Sequence, residues 1–267
     1  MSPTTYELFA VKYARHERPA ADNFVFRDDV HDGPGPLDFF VWVARSAERT
    51  FVIDTGFSAE TAARRERQII RNPREGLAAI GVDAGAVEDV IVTHLHYDHV
   101  GNFEIFPRAN FHLQDREMAY ATGRYMGHQR LQMPFDVENV TGMVREVYRG
   151  RVAFHDGDEE LAPGISLHLV GGHSHGLQFV RVHTARGWVV VASDAAHFYD
   201  NMATGNPFPI VLHVGEMLEG HRRCRQLAAS ADHVVPGHDP LVMQRYPAPS
   251  AELEGIAVRL DVAPAGS

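Results

Sequence analysis

The sequence has little cysteine, no long hydrophobic run and no excess of positive charge. A single cysteine, Cys224, occurs among 267 residues, so no disulfide can form within the chain. This favours a reducing compartment such as the cytoplasm. The longest apolar runs, residues 39–44 and 188–192, are far shorter than the roughly 20 residues that cross a membrane. The amino-terminal residues also lack the apolar stretch of a signal peptide, so we expect a cytoplasmic protein without a membrane partner.

The balance of charge argues against a nucleic-acid partner. Lys and Arg number 25 and Asp and Glu number 35, which gives a formal net charge of −10. A surface of this sign repels a phosphate backbone on average. Hydrophobic residues make up 45% and charged residues 22% of the chain, as in ordinary globular proteins. We therefore expect a folded protein that does not bind nucleic acid.

Hydrophobic periodicity predicts an antiparallel start followed by alternating strands and helices. Alternation near residues 6–13, 37–44 and 49–54 is typical of strands, with a hairpin connection at residues 45–49. Residues 58–80 read as helix, with Ser58 as N-cap, Pro73 dividing it in two and Gly81 ending it. Further on, the pattern predicts a hairpin at residues 185–187 and a helix near 216–229. No linker interrupts the pattern, so we expect one domain over residues 1–267.

The segment VIVTHLHYDHVGN, residues 90–102, crowds three histidines and a carboxylate directly after a β-branched run. His94 and His96 are two residues apart, so in extended backbone both imidazoles point to the same side and can bind one metal ion. Asp98 and His99 follow where the chain must turn, and their changed direction suits a second ion nearby. A carboxylate such as Asp194 would then bridge the pair.

Four strand-like runs each place a candidate ligand just past their final residue: His94, His173, Asp194 and His238. Loops at one end of a β scaffold can converge on a rigid site although their residues lie far apart in sequence. Imidazole and carboxylate without thiolate suit two divalent ions, zinc first, with iron, manganese or cobalt as alternatives. The pattern predicts a hydrolytic metal site with open coordination positions.

These motifs resemble those of the metallo-β-lactamase superfamily. HLHYDH matches its HxHxDH motif, and GGHSHG (171–176), SDAAH (193–197) and VPGHD (235–239) match its later ligand motifs. The resemblance implies an α/β fold, a four-layer αββα sandwich of two β/α halves. It also implies a ligand set in three parts: one metal at His94, His96 and His173, a second metal at Asp98, His99 and His238, and a bridging Asp194. Asp54 would orient a ligand by hydrogen bonding or would simply form a turn.

Within the superfamily the chain is similar to the N-acyl homoserine lactonases, which implies a small-molecule lactone substrate and a role in quorum quenching. The implied mechanism is attack on the ring carbonyl by a hydroxide that bridges the two metals. Asp98 would pass a proton to the leaving alkoxide. The tyrosine that those lactonases place three residues after the bridging aspartate is His197 here, and Tyr199 lies two residues further on, so either side chain would assist at the carbonyl.

Phe198, Met202 and Phe208 follow the bridging aspartate and are candidates for a substrate pocket, with core packing as the equal alternative.

Other functions of the chain stay open. One is hydrolysis of another small cyclic ester, amide or thioester in a catabolic pathway, because His197 departs from the lactonase pattern. A second is a mononuclear-iron enzyme that resembles persulfide dioxygenases, and a third is a binding protein with a vestigial site. The sequence leaves homo-oligomerisation open.

Overall fold

The computed structural model of the protein describes residues 3–27 and 32–265. In this part of the chain the strands form two sheets. The strands are β1 (Glu7–His16), β2 (Leu37–Arg45), β3 (Thr50–Ile53), β4 (Gln68–Ile69), β5 (Asp89–Ile91), β6 (Asn110–Gln114), β7 (Val152–His155), β8 (Glu159–Ala162), β9 (Ile165–Leu169), β10 (Gln178–Thr184), β11 (Gly187–Ser193), β12 (Val234–Pro236) and β13 (Ala257–Arg259).

The helices cover the outer faces of the two sheets. They are α1 (Ala59–Arg64), α2 (Pro73–Ala79), α3 (Tyr97–Val100), α4 (Asp115–Ala121), α5 (Gln129–Gln132), α6 (Val137–Tyr148), α7 (Tyr199–Thr204), α8 (Val214–Leu227) and α9 (Leu241–Arg245). Over the described residues, none of them has the length and apolar character that a bilayer crossing requires.

The first sheet has the strand order β13-β1-β2-β3-β5-β6-β7, with β4 paired to β1, and the second has the order β12-β11-β10-β9-β8. The strands β1, β2 and β3 are antiparallel, whereas β3, β5, β6 and β7 are parallel neighbours. The predicted change from an antiparallel start to strand–helix alternation is therefore confirmed. Both predicted hairpins, between β2 and β3 and between β10 and β11, are also present.

Side chains alternate between two cores along each strand. On β10, Val180 and Val182 pack between the sheets, while Phe179 lies in the core under α8. On β2, Phe40 and Trp42 likewise face the second sheet, and the side chains between them face the helices of the first half. A period of two is what a strand buried on both faces imposes. The predicted four-layer αββα sandwich is confirmed.

The predicted helix over residues 58–80 is only partly correct. Ser58 caps α1 by accepting a hydrogen bond from the Thr61 amide, and Pro73 begins α2, as expected. The helix already ends at residue 64, however, because residues 68–69 pair with β1 at the edge of the first sheet. Glu66, with φ of 56°, turns the chain toward that edge. That residues 1–267 form one domain stays a prediction.

Candidate metal centre

The predicted ligands lie at one edge of the two sheets, each after the end of a strand. His94 follows β5, Asp194 follows β11 directly, His238 follows β12, and His173 follows β9. Because β11 and β12 are parallel neighbours, the residues after them reach the same edge. The strand β9 runs in the same direction, since both it and β11 are antiparallel to β10. The topology thus brings four distant segments together.

The loop after β5 supplies four of the seven predicted ligands. The backbone is extended at His96, the residue before α3, with φ of −68° and ψ of 154°. The imidazoles of His94 and His96 lie side by side, with ring centroids 4.4 Å apart. The chain then turns into α3, which carries Asp98 and His99 in its single turn. This change of direction places the two pairs in different parts of the site.

Three histidines and a carboxylate form the first group of candidate ligands, His94, His96, His173 and Asp194, with donor atoms all within 4.8 Å of one another. His173 Nε2 lies 3.0 Å and His94 Nε2 lies 3.7 Å from Asp194 Oδ2. His96 Nδ1 lies 2.9 Å from His173 Nε2. Atoms that each lie about 2.0–2.2 Å from one tetrahedral cation are about 3.3–3.6 Å apart, so these separations suit a shared ion.

The second group consists of Asp98, His99 and His238. The Nε2 atoms of His99 and His238 lie 3.8 Å and 3.9 Å from Asp98 Oδ2. The other oxygen of Asp194, Oδ1, lies 2.9 Å from His238 Nε2 and 3.4 Å from His99 Nε2. The two carboxylate oxygens of Asp194 therefore face different groups, which is the arrangement of a ligand that bridges two ions.

The donor set fits divalent cations. The Nε2 atoms of His94 and His99 are buried and have no hydrogen-bond partner among the described residues. A buried polar atom without a partner costs about 1–3 kcal/mol, so such atoms call for a ligand. Imidazole nitrogen and carboxylate oxygen are donors that zinc, iron, manganese and cobalt accept. The residues present can therefore hold a pair of such ions.

The electrostatic state of the site also favours metal binding. Burial, with repulsion from neighbouring imidazoles, lowers the pKa of His94 and His96 well below the usual value, so both rings are neutral near pH 7. A neutral imidazole is the form that binds a metal. Burial alone would raise the pKa of Asp194, but the surrounding histidines, His197 first among them, hold it well below its usual range.

Asp54 orients a ligand of the second group. Its Oδ2 lies 2.7 Å from His99 Nδ1 and accepts a hydrogen bond from the Thr93 hydroxyl at 2.8 Å, while its Oδ1 accepts from the Thr93 amide at 2.8 Å. Burial lowers the pKa of His99, but Asp194 and Asp54 outweigh it and raise that pKa well above the usual value. Asp54 adopts φ of 61°, a conformation that costs energy in a residue with a side chain.

Backbone carbonyls fix two further rings. His173 Nδ1 lies 2.6 Å from the carbonyl oxygen of Ile210, and His238 Nδ1 lies 3.0 Å from that of Asp38. Since a carbonyl oxygen only accepts, the ring proton must be on Nδ1 in both residues. Nε2 is then the nitrogen of each ring that faces the Asp194 carboxylate, and it is the atom that would bind a cation in place of a proton.

A close approach between two ligand loops requires a glycine. A Cβ atom on Gly237 would lie 2.7 Å from the Ser193 carbonyl oxygen and 2.9 Å from Asp194 Oδ1. Only a glycine, which has no Cβ atom, lets the backbone before His238 approach the Asp194 carboxylate this closely. Ser193, with φ of 46°, turns the chain on the other side of the contact.

Glu117 links two loops that carry candidate ligands, and the sequence patterns do not indicate it. It is fully buried on α4. Its Oε1 accepts a hydrogen bond from the Leu95 amide at 2.9 Å, and its Oε2 accepts from the Ser174 hydroxyl at 2.7 Å and the Gly176 amide at 2.9 Å. Leu95 lies between two candidate ligands and Ser174 follows a third. No sequence pattern indicates this arrangement, because the partners of Glu117 lie on distant loops.

The structure places His197 and Tyr199, the two candidates for assistance at the substrate carbonyl, in different surroundings. His197 lies inside the site, with Nε2 3.1 Å from Asp194 Oδ2. Burial lowers the pKa of His197 to about 3 although Asp194 opposes the shift, so the ring is neutral at pH 7. Tyr199 is not among the described residues that line the cavity. Its ring packs in the core with the Arg245 guanidinium 4.6 Å from its centroid.

The three predicted pocket residues also differ in their placement. Phe208 lines the cavity and stacks on His197. Phe198 packs behind Phe208, with ring centroids 6.5 Å apart, as part of the core of the first half. Met202 lies in the core between the second sheet and α8.

The candidate ligands open into a cavity of about 60 Å³. His96, Asp98, His173, Asp194 and His238 contribute to its wall. The wall also contains three arginines that sequence reasoning did not single out: Arg18, Arg65 and Arg67. Aromatic and apolar side chains, among them Phe39, Tyr97 and Met133, complete it.

Comparison with known proteins agrees with this fold. The family model of the metallo-beta-lactamase superfamily matches residues 34–250, which is most of the chain. The protein belongs to the metallo-beta-lactamase superfamily. The match includes all seven predicted ligands.

The curated relatives are similar over part of their length. A probable metallo-hydrolase from Mycobacterium tuberculosis is 27% identical over 218 residues, 78% of this chain and 63% of that protein. The N-acyl homoserine lactonase AiiB of Agrobacterium fabrum is 30% identical over 134 residues, 49% of this chain and 48% of the lactonase. The chain thus spans less than two thirds of the length of these relatives.

Solved structures extend the likeness in fold. The crystal structure of a quorum-quenching N-acyl homoserine lactone lactonase superposes with a TM-score of 0.75 at 20% identity, covering 90% of this chain and 95% of that one. A probable metal-dependent hydrolase from Staphylococcus aureus superposes with a TM-score of 0.74 at 15% identity, covering 100% of this chain and 97% of that one. At these identities the likeness shows the fold.

Proposed function

We propose that the protein is a metal-dependent hydrolase that opens a lactone ring with the help of two divalent ions. The observation that carries this proposal is the position of Asp194, whose two carboxylate oxygens face separate groups of ligand atoms. The names of the relatives, a metallo-hydrolase and a lactonase, support the same class of reaction. Zinc is the metal that we propose first, because the donors are imidazoles and carboxylates.

The reaction consumes one water molecule for each ring opened. The water oxygen forms a bond to the ring carbonyl carbon, the bond from that carbon to the ring oxygen breaks, and one proton of the water ends on the alkoxide. The product is a hydroxy acid. When bound, divalent ions at such a site lower the pKa of water toward neutrality and stabilise negative charge on oxygen.

The chain's own residues position the substrate and transfer the proton. The Asp98 carboxylate lines the cavity, so it can accept a proton from the attacking water and deliver it to the leaving alkoxide. His197 is neutral and lies in the same wall, where its Nε2–H, now 3.1 Å from Asp194 Oδ2, can share its hydrogen bond with the developing oxyanion. We propose His197 rather than Tyr199 for this role, because the tyrosine ring packs in the core.

The test combines metal analysis with a substrate panel. Protein loaded with zinc is assayed on lactones, thioesters and cyclic amides, and its metal content is measured by mass spectrometry. About two ions per chain and ring opening of a lactone, abolished in Asp194→Ala and His96→Ala, are expected. One iron per chain with consumption of oxygen, or full activity in the Asp194→Ala protein, would exclude the proposal. Arg108→Ala, at an exposed ion pair with Glu88, is the control.

A second candidate is hydrolysis of another small cyclic ester, amide or thioester. It is favoured by His197, which stands where N-acyl homoserine lactonases are expected to have tyrosine. The arginines in the cavity wall favour it further. If acyl homoserine lactones are opened no faster than in buffer while another ring is cleaved, the second candidate replaces the first.

A further inference from the structure

We propose that the cavity binds a substrate with an anionic oxygen group, a carboxylate or a phosphate, through Arg18, Arg65 and Arg67. We refer to these residues as the arginine cluster. All three line the cavity that contains the candidate metal ligands. The inference rests on the proposed function, because the anionic group would belong to the molecule that the metal centre hydrolyses.

Among the described residues, the arginine cluster has no carboxylate counterion. In the described ranges, none of its guanidinium groups lies within 4.0 Å of a carboxylate oxygen. Asp22, which is near Arg18, pairs instead with Arg27 at 2.5 Å. By contrast Arg64, the neighbour of Arg65 in the sequence, forms an ion pair with Asp136. Buried or partly buried charges are normally paired, so three unpaired guanidinium groups at one cavity indicate a ligand that supplies the negative charge.

Each member of the cluster has nitrogen atoms available for such a ligand. Arg18 donates from Nη2 to the Asp22 carbonyl oxygen, and Arg65 donates from Nη2 to the carbonyl oxygens of Met133 and Phe135, so Nη1 of both residues has no hydrogen-bond partner among the described residues. Arg67 donates from Nε to the Tyr97 hydroxyl at 3.1 Å and from Nη1 to the Arg65 carbonyl oxygen at 2.7 Å. These bonds leave its Nη2 without a partner in the described residues. Guanidinium groups with free donors match the paired oxygens of a carboxylate or phosphate.

Aromatic rings hold two of the guanidinium groups close to the candidate metal ligands. The Arg65 guanidinium lies 4.0 Å from the centroid of the Tyr97 ring, and Tyr97 lies between two candidate ligands in the sequence. The Arg18 guanidinium lies 5.1 Å from the centroid of Phe208, which in turn stacks on His197. Stacking fixes the position of an arginine without neutralising its charge. The cluster therefore lies in the same cavity as the candidate metal ligands and keeps its positive charge.

The surroundings of the cluster are electropositive. His16, in the same wall, is neutral at pH 7, because burial and the charges of Arg67 and Arg18 lower its pKa to about 4. The carboxylates in the cavity wall, Asp98 and Asp194, belong to the candidate metal site, where bound cations would neutralise them. With cations bound there, the cavity would be a positive region in a chain of net charge −10. A cleft lined by charges of one sign raises the local concentration of ligands of the opposite charge.

The cluster predicts a preference within the proposed reaction class. An acyl homoserine lactone with a plain alkyl chain has no anionic group, so its binding would leave the guanidinium groups unpaired. A lactone with a carboxylate or phosphonate substituent would pair with them.

The test uses three lactones that differ only in one substituent. They are 5-oxotetrahydrofuran-2-carboxylate, the corresponding phosphonate and the neutral methylamide, each assayed with the zinc-loaded protein. We expect kcat/KM at least about tenfold higher for one of the two anions than for the amide. Which anion is preferred distinguishes a carboxylate from a phosphate ligand. Equal rates for the amide and both anions would overturn the inference.

Substitutions in the arginine cluster test whether these residues cause the preference for an anionic substrate. We expect Arg67→Met and Arg18→Met to raise KM for the preferred anion about tenfold and to leave the amide unchanged. Arg64→Met, next to the cluster but paired with Asp136, is the matched control. If Arg67→Met does not fold, Arg18→Met decides, because among the described residues the Arg18 side chain donates a hydrogen bond only to the Asp22 carbonyl oxygen. An anion preference that persists in the variants would overturn the inference.

A binding measurement separates this inference from the proposed function. Succinate and inorganic phosphate are titrated into zinc-loaded protein by calorimetry, with and without Arg67→Met and Arg18→Met. If no lactone or other ester is hydrolysed, the proposed function fails. Anion binding that weakens about tenfold in the variants would still support the cluster as an anion site. Anion binding that is the same in all these proteins would refute the cluster even where hydrolysis is observed.

Discussion

The imidazole of His197 stacks on the ring of Phe208, with centroids 3.8 Å apart and an angle of 8° between the planes. On its other side, Nε2 lies 3.1 Å from Asp194 Oδ2. The stack thus fixes a neutral imidazole at the cavity wall, beside the proposed bridging carboxylate. Such a ring can donate a hydrogen bond without changing the charge of the site.

His197→Phe is therefore expected to lower kcat by about 10–100-fold, since the variant keeps the stack but loses the hydrogen-bond donor. KM and metal content should change little. Tyr199→Phe, whose hydroxyl is buried in the core, is the matched control and should keep its kcat. A large loss in Tyr199→Phe with an unchanged His197→Phe would reverse the two assignments.

Asp54→Asn tests the support of the second ligand group. The amide that replaces the carboxylate cannot accept hydrogen bonds from both Thr93 and His99 with the same strength, so the His99 ring loses its fixed orientation. Metal affinity is expected to fall about 10–100-fold. Competition with a chromogenic chelator measures the affinity. Asp232→Asn, at a half-exposed ion pair with Arg245, should bind metal like the original protein.

Glu117→Gln tests the link between the ligand loops. The side-chain amide presents one acceptor oxygen to donors that now share two, so at least one buried amide or hydroxyl loses its partner. We expect the free energy of unfolding to fall by about 1–3 kcal/mol and metal affinity to fall with it. Urea denaturation with and without zinc measures both. Glu138→Gln, at an exposed position of α6, is the control. Unchanged stability and affinity in Glu117→Gln would mean that the loops hold their positions without it.

His221 predicts a pH dependence of stability that does not involve the metal site. It is buried on α8, and neither ring nitrogen has a partner among the described residues. Burial, with a smaller contribution from Arg225, lowers its pKa from 6.5 to about 4. Below pH 6.5 the unfolded chain therefore binds a proton that the folded protein does not bind until about pH 4. This residue makes the folded state less stable as pH falls through that interval.

His221→Leu should remove this contribution. Between about pH 7.5 and about pH 5, the loss of unfolding free energy should be smaller in the variant by about 2 kcal/mol. Urea denaturation of metal-free protein at the two pH values measures the difference. His128→Gln, at an exposed histidine, should retain the original dependence. A parallel pH response in His221→Leu and the original protein would show that the buried ring does not resist protonation.

The sequence by itself determined which side chains are candidates for metal binding. The spacing of His94 and His96 and the turn at Asp98 are local properties, because strand and turn geometry act over a few residues. The strand periodicity likewise predicted the antiparallel start and the later alternation of strands and helices, whereas the four-layer sandwich was implied by the resemblance to the metallo-β-lactamase superfamily.

Local sequence patterns predicted secondary structure less well where the backbone could form hydrogen bonds either within a helix or with a distant strand. Residues 65–72 have helix-forming composition, yet residues 68–69 join the edge of the first sheet. Hydrogen bonds to a distant strand decide that outcome, and propensity carries no information about them. The bounds of α1 and α2 therefore depended on the tertiary structure.

Only the tertiary structure decided which other side chains serve the site. Tyr199 and His197 are two residues apart and chemically suited to the same role, but packing directs one ring into the core and the other into the cavity. Glu117 and the arginine cluster follow no motif. Their partners are atoms on loops that are distant in sequence, so their roles arise from the way the sheets and loops pack together.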